Sequence, residues 1–427
     1  MEEFKIKKWL YPGLGIKRWF FLLIFSLLLI STGLSILIGY LLISQVESMI
    51  FEIFSPFLGK YSYLMDYVIA FSLIVLGIFL MNFSIKAALK GIYRREISAK
   101  WVEDLYRKKL LKKGPKIVAL GGGTGLSNLL RGLKKHSSNL TAIVTVADDG
   151  GSSGKLRDEL GILPPGDIRN CLLALADAES LMQELFQYRF NSGGNLAGHN
   201  FGNLFIATLT EVLGDFEDAV KESSNILAIR GKVLPASNDN VHLGAIYTDN
   251  SIKMGESDIP VEGKKIANVF LKPSSCQASD EVKEAIRDAE IIVLGPGSLY
   301  TSIIPNLLVN GIVEEINKSN AIKIYVSNIM TQPGESSNYS VADHVEAIFK
   351  HSKKGLFEYV LVNKGQGSQE LVEKYKQEGA SQVAFDKNEL KKLGVKVIEA
   401  DLIYEKGYIR HNPDKLAKII LEIAEGW

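Results

Sequence analysis

Two cysteines in 427 residues, Cys171 and Cys276, stand far apart and outside any CxxC spacing, and the six histidines form no cluster. That scarcity argues against a disulfide framework and against a zinc site. No Ser-His-Asp ordering stands out, so an activated acyl-transfer nucleophile is not indicated. Positive charge is also missing where a nucleic-acid binder would need it. Up to Gly114 there are 16 Lys and Arg against 8 Asp and Glu, but beyond it 33 against 40. A basic front on an acidic body is not the footprint of a nucleic-acid surface.

What the sequence has is two long apolar runs near its start. Residues 19–43 and 67–85 carry no charge, and a bilayer core needs about 20 helical residues. The first run is too long for a signal peptide and lacks a small-x-small cleavage site, and a second span follows it. Lys5, Lys7, Lys8, Lys17 and Arg18 precede the pair; Lys86, Lys90, Arg94, Arg95 and Lys100 follow it. The excess of flanking basic residues places both ends, and so the large domain, on the cytoplasmic face of the cell membrane. The expected organisation is a transmembrane hairpin over 1–86, a basic helical linker over 87–114 that lies at the anionic leaflet or is a solvated connector, and a soluble domain over 115–427.

In the soluble domain, apolar β-branched runs at 116–120, 141–146, 291–294, 322–326, 359–362 and 395–398 alternate with amphipathic segments such as 280–289 and 340–351. Runs apolar on both faces predict a mostly parallel, doubly wound α/β sheet covered on both sides, with ligands held beyond the carboxyl ends of its strands.

The unusual residues fall at those strand ends. The run at 116–120 passes into Gly121, Gly122, Gly123, Thr124 and Gly125 and then a helical pattern. Such glycines let a backbone approach an anion that the helix N-terminus favours. Leu126 stands where a dinucleotide fingerprint would need its third glycine, so a phosphate cradle and a plain tight turn both stay open. The run at 141–146 leads to Asp148, Asp149, Gly150, Ser152 and Ser153. Adjacent carboxylates there can hold Mg²⁺, a ribose or sugar hydroxyls, and capping is the alternative. A following Gly154-Lys155 is no P-loop, because Leu156 replaces its Ser or Thr. Further on, Asp167 is an N-cap or a ligand group, and Arg169 and Asn170 sit where a phosphate partner would. His199, Asn200 and Asn203 open another helix and can donate to ligand oxygens. Gly295, Gly297, Ser298, Thr301 and Ser302 form a second small-residue turn and a second candidate cradle. Two cradles suit a diphosphate or a nucleotide.

The stretches KIVALGGGTGLSNLLRGLK, TAIVTVADDGGSSGKLR, LPPGDIRNCLLALAD, HNFGNLFIA, GPGSLYTSIIPNLLV and YVSNIMTQPGES, with the closing YIRHNPDKLAKIILEI, occur in this order. Together, over residues of about 116–421, they resemble the YvcK (gluconeogenesis factor) branch of the CofD-like superfamily. The other branch contains the 2-phospho-L-lactate transferases. The resemblance implies a Rossmann-like, CofD-like fold that binds a nucleotide-sugar of the UDP-N-acetylglucosamine type. It implies links to cell shape, peptidoglycan homeostasis and gluconeogenic growth. The 121–125 loop, Asp148, Asp149, His199, Asn200, Asn203 and 297–302 would line the pocket. In the transferase branch the acidic pair serves acceptor and metal; here Gly-Gly-Ser-Ser follows it, the YvcK pattern. The expectation is a membrane-tethered, homo-oligomeric regulator that binds a UDP-sugar or related nucleotide and no nucleic acid. No cofactor is firmly implied; Mg²⁺ on Asp148 and Asp149 is the candidate. A Mg²⁺-dependent transferase and a NAD-type dinucleotide binder are the alternatives.

Overall fold

The computed structural model describes residues 17–38, 62–93, 109–177 and 180–426. It divides into two compact units, residues 1–108 and 109–427. Residues 39–43 of the first apolar run, the part of the 87–114 linker over 94–108, and the flanking Lys5, Lys7, Lys8, Arg94, Arg95 and Lys100 lie outside the described residues.

In the first unit the helices α1 (Lys17–Ile38) and α2 (Ser62–Tyr93) pack on each other. Their stretches Trp19–Leu37 and Tyr67–Ala87 have a mean hydropathy of 2.5, long and apolar enough to cross a membrane. Small residues form the contact. A Cβ on Gly33 would lie 2.8 Å from the Ala70 carbonyl oxygen, and one on Gly77 2.9 Å from that of Ser26. Close backbone approach of this kind joins apolar helices when lipid removes the hydrophobic drive between them. The opposite faces present Phe20, Phe21, Phe71 and Phe79 outward.

The second unit is built on seven parallel strands, β1 (Ile117–Gly121), β2 (Leu140–Val144), β3 (Lys232–Pro235), β7 (Ile291–Leu294), β8 (Ile322–Val326), β9 (Tyr359–Asn363) and β10 (Lys396–Ala400). Six of them correspond to the apolar runs. The added one, β3, has four residues between Gly231 and a terminal proline, too short to stand out by pattern. Between β3 and β7 the chain makes a separate antiparallel sheet of β4 (His242–Tyr247), β5 (Ile252–Met254) and β6 (Ile266–Lys272). A hairpin of β11 (Ile403–Glu405) and β12 (Ile409–His411) follows β10.

Strand order in the main sheet is β10-β9-β8-β7-β1-β2-β3. The chain therefore winds outward from β1 through β2 to β3, then returns to lay β7 on the other side of β1. The order reverses between β1 and β7, which is where open α/β sheets leave a crevice at their carboxyl ends. All nine residues of β1 and β7 are buried, as both-face coverage by helices requires. The helix after β1, Gly123–Leu133, turns Leu126, Leu129, Leu130 and Leu133 into the core and packs against the C-terminal helix Pro413–Glu425. Gly132 permits this contact: a Cβ there would lie 2.0 Å from the Pro413 carbonyl oxygen.

Gly132→Ala should accordingly lower the stability of the second unit by about 1–3 kcal/mol, the cost of forcing a methyl into a packed helix contact. Urea unfolding followed by circular dichroism checks it.

Candidate functional site

The crevice is real and is floored by the two glycine turns. A cavity of about 290 Å³ is lined by Gly122, Gly123, Thr124 and Gly125 after β1 and by Pro296, Gly297, Ser298 and Ser302 after β7. The turns touch backbone to backbone: a Cβ on Gly125 would sit 2.3 Å from the Pro296 carbonyl oxygen. Gly123 has φ +60°, a conformation glycine adopts without cost. Among the described residues, the N–H groups of Thr124 and Gly125 have no acceptor. They are free donors at a helix N-terminus, the setting that attracts phosphate.

Three further segments close the cavity. Asn328, Ile329, Met330 and Gln332 come from the loop after β8, Tyr375 from the helix Gln369–Gln377, and Tyr408 to His411 from the β11–β12 hairpin. Among the described residues Arg410 is the one cationic side chain of this lining, and it lies 5.6 Å from the Tyr408 ring. His411 is buried, bonds Ser327 O through Nε2 at 3.1 Å, and is pushed down by burial to about 4, so it is neutral. The β1 helix is tied to this wall because Asn128 Nδ2 donates to the His411 carbonyl. Pattern reasoning on the sequence missed these residues. The YVSNIMTQPGES and YIRHNPDK motifs hold them, but apolar and aromatic residues in short segments carry no local mark of a ligand wall.

The residues after β2 gather into a polar cluster that meets the cavity at Gly122. A Cβ on that glycine would be 2.5 Å from Asp167 Oδ2. Asp167 is no N-cap, since the helix Gly166–Leu175 is capped at Pro165. Its carboxylate instead accepts from the Gly123 N–H, and burial, with the charge of Asp148, raises it to about 6. Asp148 accepts from Gly150 N at 2.9 Å and from Ser153, and burial raises it too. Asp149, the other expected metal candidate, is engaged by the backbone. Its two oxygens accept from Glu256 N and Ser257 N, each at 2.9 Å, so it brackets the segment after β5. Among the described residues, no three His, Cys, Asp or Glu side chains converge as a metal site.

Ser152 is the hub of the remainder. Its Oγ accepts from Asn200 N and Asn203 Nδ2 and pairs with His199 Nδ1, all at 3.2 Å. Asn200 caps the helix Phe201–Leu213 through Asn203 N. Arg169 donates within the cluster to Asn203 Oδ1 at 2.9 Å and Asn170 Oδ1 at 2.8 Å while its buried Nε has no partner, and burial lowers it to about 10. These residues brace the site rather than line the cavity.

The second expected cradle is occupied by the protein itself. Glu335, buried in the loop after β8, accepts from Tyr300 N at 2.6 Å and Thr301 N at 3.0 Å. Burial raises its carboxyl to about 7. Glu256 bonds the Thr301 side chain and is raised to about 8, chiefly by burial and then by Asp148. Gly295 ends the strand in a positive-φ turn, and Asn306 Nδ2 ties the carbonyls of Gly121 and Ser302 together at 3.1 and 2.7 Å.

The model of the family described as 2-phospho-L-lactate transferase CofD matches residues 117–403. The gluconeogenesis factor of Bacillus subtilis is 51% identical over 310 residues, covering 72% of this chain and 98% of its own. A relative from Nostoc sp., provisionally named a gluconeogenesis factor, is 46% identical over 422 residues, 97% of this chain and 92% of its own. A crystal structure of a UPF0052 family member from Bacillus halodurans is 50% identical, with a TM-score of 0.71, covering 72% of this chain and 99% of that one.

The raised carboxyls set a pH dependence. Glu256 and Glu335 keep their protons when folded at pH values where an unfolded glutamate, near 4.5, has released them. Their contribution to stability is present below that value and is lost as pH rises towards about 8. Glu256→Gln should flatten the decline, measured by urea unfolding at pH 5 and pH 8; an unchanged slope would contradict the assignment.

Proposed function

The chain belongs to the CofD family, in the branch of the gluconeogenesis factors, and from that premise we propose that it is a membrane-tethered regulator that binds a nucleotide-sugar of the UDP-N-acetylglucosamine type. The observation that carries the proposal is the pair of free N–H donors on Thr124 and Gly125 in one cavity with Arg410. A helix N-terminus and a guanidinium together suit a diphosphate. Tyr375, Tyr408, Ile329 and Met330 offer apolar surface for the rest of the ligand. Regulation is favoured over catalysis by Ser152. It is the hydroxyl paired with a histidine, yet both its lone pairs take N–H donors, so neither is available for attack. The relatives' names point to gluconeogenesis, and the resemblance extends this to gluconeogenic growth, cell shape and peptidoglycan homeostasis. The two apolar helices would anchor the second unit at the cytoplasmic face of the cell membrane.

The second reading, a Mg²⁺-dependent transferase of the 2-phospho-L-lactate type, is favoured by the family model and by Asp148 beside Asp167. Mg²⁺ takes one or two carboxylates and completes its shell with water and ligand phosphates. Asp148 and Asp167 fit that donor set, whereas Asp149 is committed to backbone N–H groups. The ion, when bound, would neutralise phosphate charge. In this chain Asp148 and Asp167 would hold it and Gly122 to Gly125 would orient the phosphates.

Calorimetry of the full-length chain in detergent should show UDP-N-acetylglucosamine binding, weakened about tenfold or more by Arg410→Ala through loss of a charge-assisted hydrogen bond. No heat at millimolar ligand sinks the regulator. A requirement for Mg²⁺ together with release of a new product would favour the transferase.

The tether has its own test. The full-length chain should stay with membranes through an alkaline carbonate wash, and protease added to intact spheroplasts should leave the second unit whole. Digestion of that unit from outside would reverse the orientation.

A further inference from the structure

We infer that the Glu335 carboxyl is a built-in acceptor: it takes the place at the turn after β7 that a phosphate would take, and confines phosphate to the loop after β1. This goes beyond the nucleotide-sugar reading and does not depend on the ligand's identity. The two turns follow neighbouring parallel strands and each opens on a helical segment, so by backbone alone both are anion cradles. Their donors are in opposite states. Among the described residues Thr124 N and Gly125 N have no acceptor, whereas Tyr300 N and Thr301 N both donate to one oxygen of Glu335.

The carboxylate is held there from two directions. Its loop is pinned to the turn by Gln332 Nε2, which donates to Ser298 Oγ at 2.7 Å. On the far side Gly334 is pressed on Pro260, where a Cβ would lie 1.9 Å from the carbonyl oxygen. Glu335 is 6% exposed, so it cannot swing aside without breaking a backbone contact. Glu256 adds a second carboxylate at the same turn through the Thr301 side chain. Among the described residues neither glutamate has an ion-pair partner. A further phosphate arriving here would find its donors taken. Glu335 thus determines specificity: the site accepts one phosphorylated segment, at Gly122 to Gly125, and presents Ser298, Ser302 and Gln332 to a neutral, hydrogen-bonding remainder of the ligand.

The test is thermal unfolding of the full-length chain in detergent against increasing inorganic phosphate, for the wild type, Glu335→Ala and Glu335→Gln. The glutamine carbonyl can still accept both N–H groups, so Glu335→Gln should respond to phosphate as the wild type does. Glu335→Ala vacates the donors. It should lose about 4 °C or more in Tm without phosphate and regain it as phosphate fills the gap, giving a larger rise than in the other two proteins. Equal responses in all three would overturn the inference. So would a Glu335→Ala chain that stays unfolded at every phosphate concentration while Glu335→Gln folds.

Discussion

The contact on which the rest depends is between two backbones. The Cα of Gly125 lies against the carbonyl of Pro296, with no room for a Cβ. It joins the loop after β1 to the loop after β7 at the one place where the strand order of the sheet reverses. Asn306 reinforces the join by bonding the Gly121 and Ser302 carbonyls at once. Held this closely, the two turns become one floor. Amide N–H groups, rather than long side chains, then meet whatever enters the crevice, a rigid geometry that loses little entropy on binding.

An anion site walled by acids would be self-defeating if all the acids were charged and free. Here none of the acids around it is free. Asp149 and Glu335 are satisfied by pairs of backbone N–H groups, Asp167 by Gly123, and Asp148 by Gly150 and Ser153. Burial also lifts Asp167, Glu256 and Glu335 into a range where protons neutralise part of the charge. The positive side of the balance is concentrated in the Thr124 and Gly125 amides and in Arg410. A phosphate entering the cavity would meet these donors at one end.

Much of this was legible in advance. Apolar runs on both faces marked six of seven main-sheet strands, and the Gly121–Gly125 loop was recognisable as a candidate cradle from its glycines and the helix behind it. The motif order identified the family. Less legible were β3, four residues long, and the antiparallel sheet, whose β4 contains Gly244 because the Phe270 ring lies 2.4 Å from where a Cβ would be. The cavity wall of Tyr375, Tyr408 and Arg410 comes from late segments whose own pattern is that of ordinary surface helix and hairpin.

By itself, then, the sequence determined what local pattern can carry: two helices apolar enough for a bilayer, a parallel α/β sheet, and chemistry placed at strand ends. Only the tertiary structure decided which of those groups face a ligand and which consume one another. Asp149 meets Glu256 N across 107 positions and Glu335 meets Tyr300 N across 35. Whether such groups meet depends on strand order and on how loops stack above the sheet. A hydrogen bond between distant segments leaves no trace in the composition of either one, so a carboxylate offered to a ligand and one locked onto a backbone amide look the same until the chain is folded.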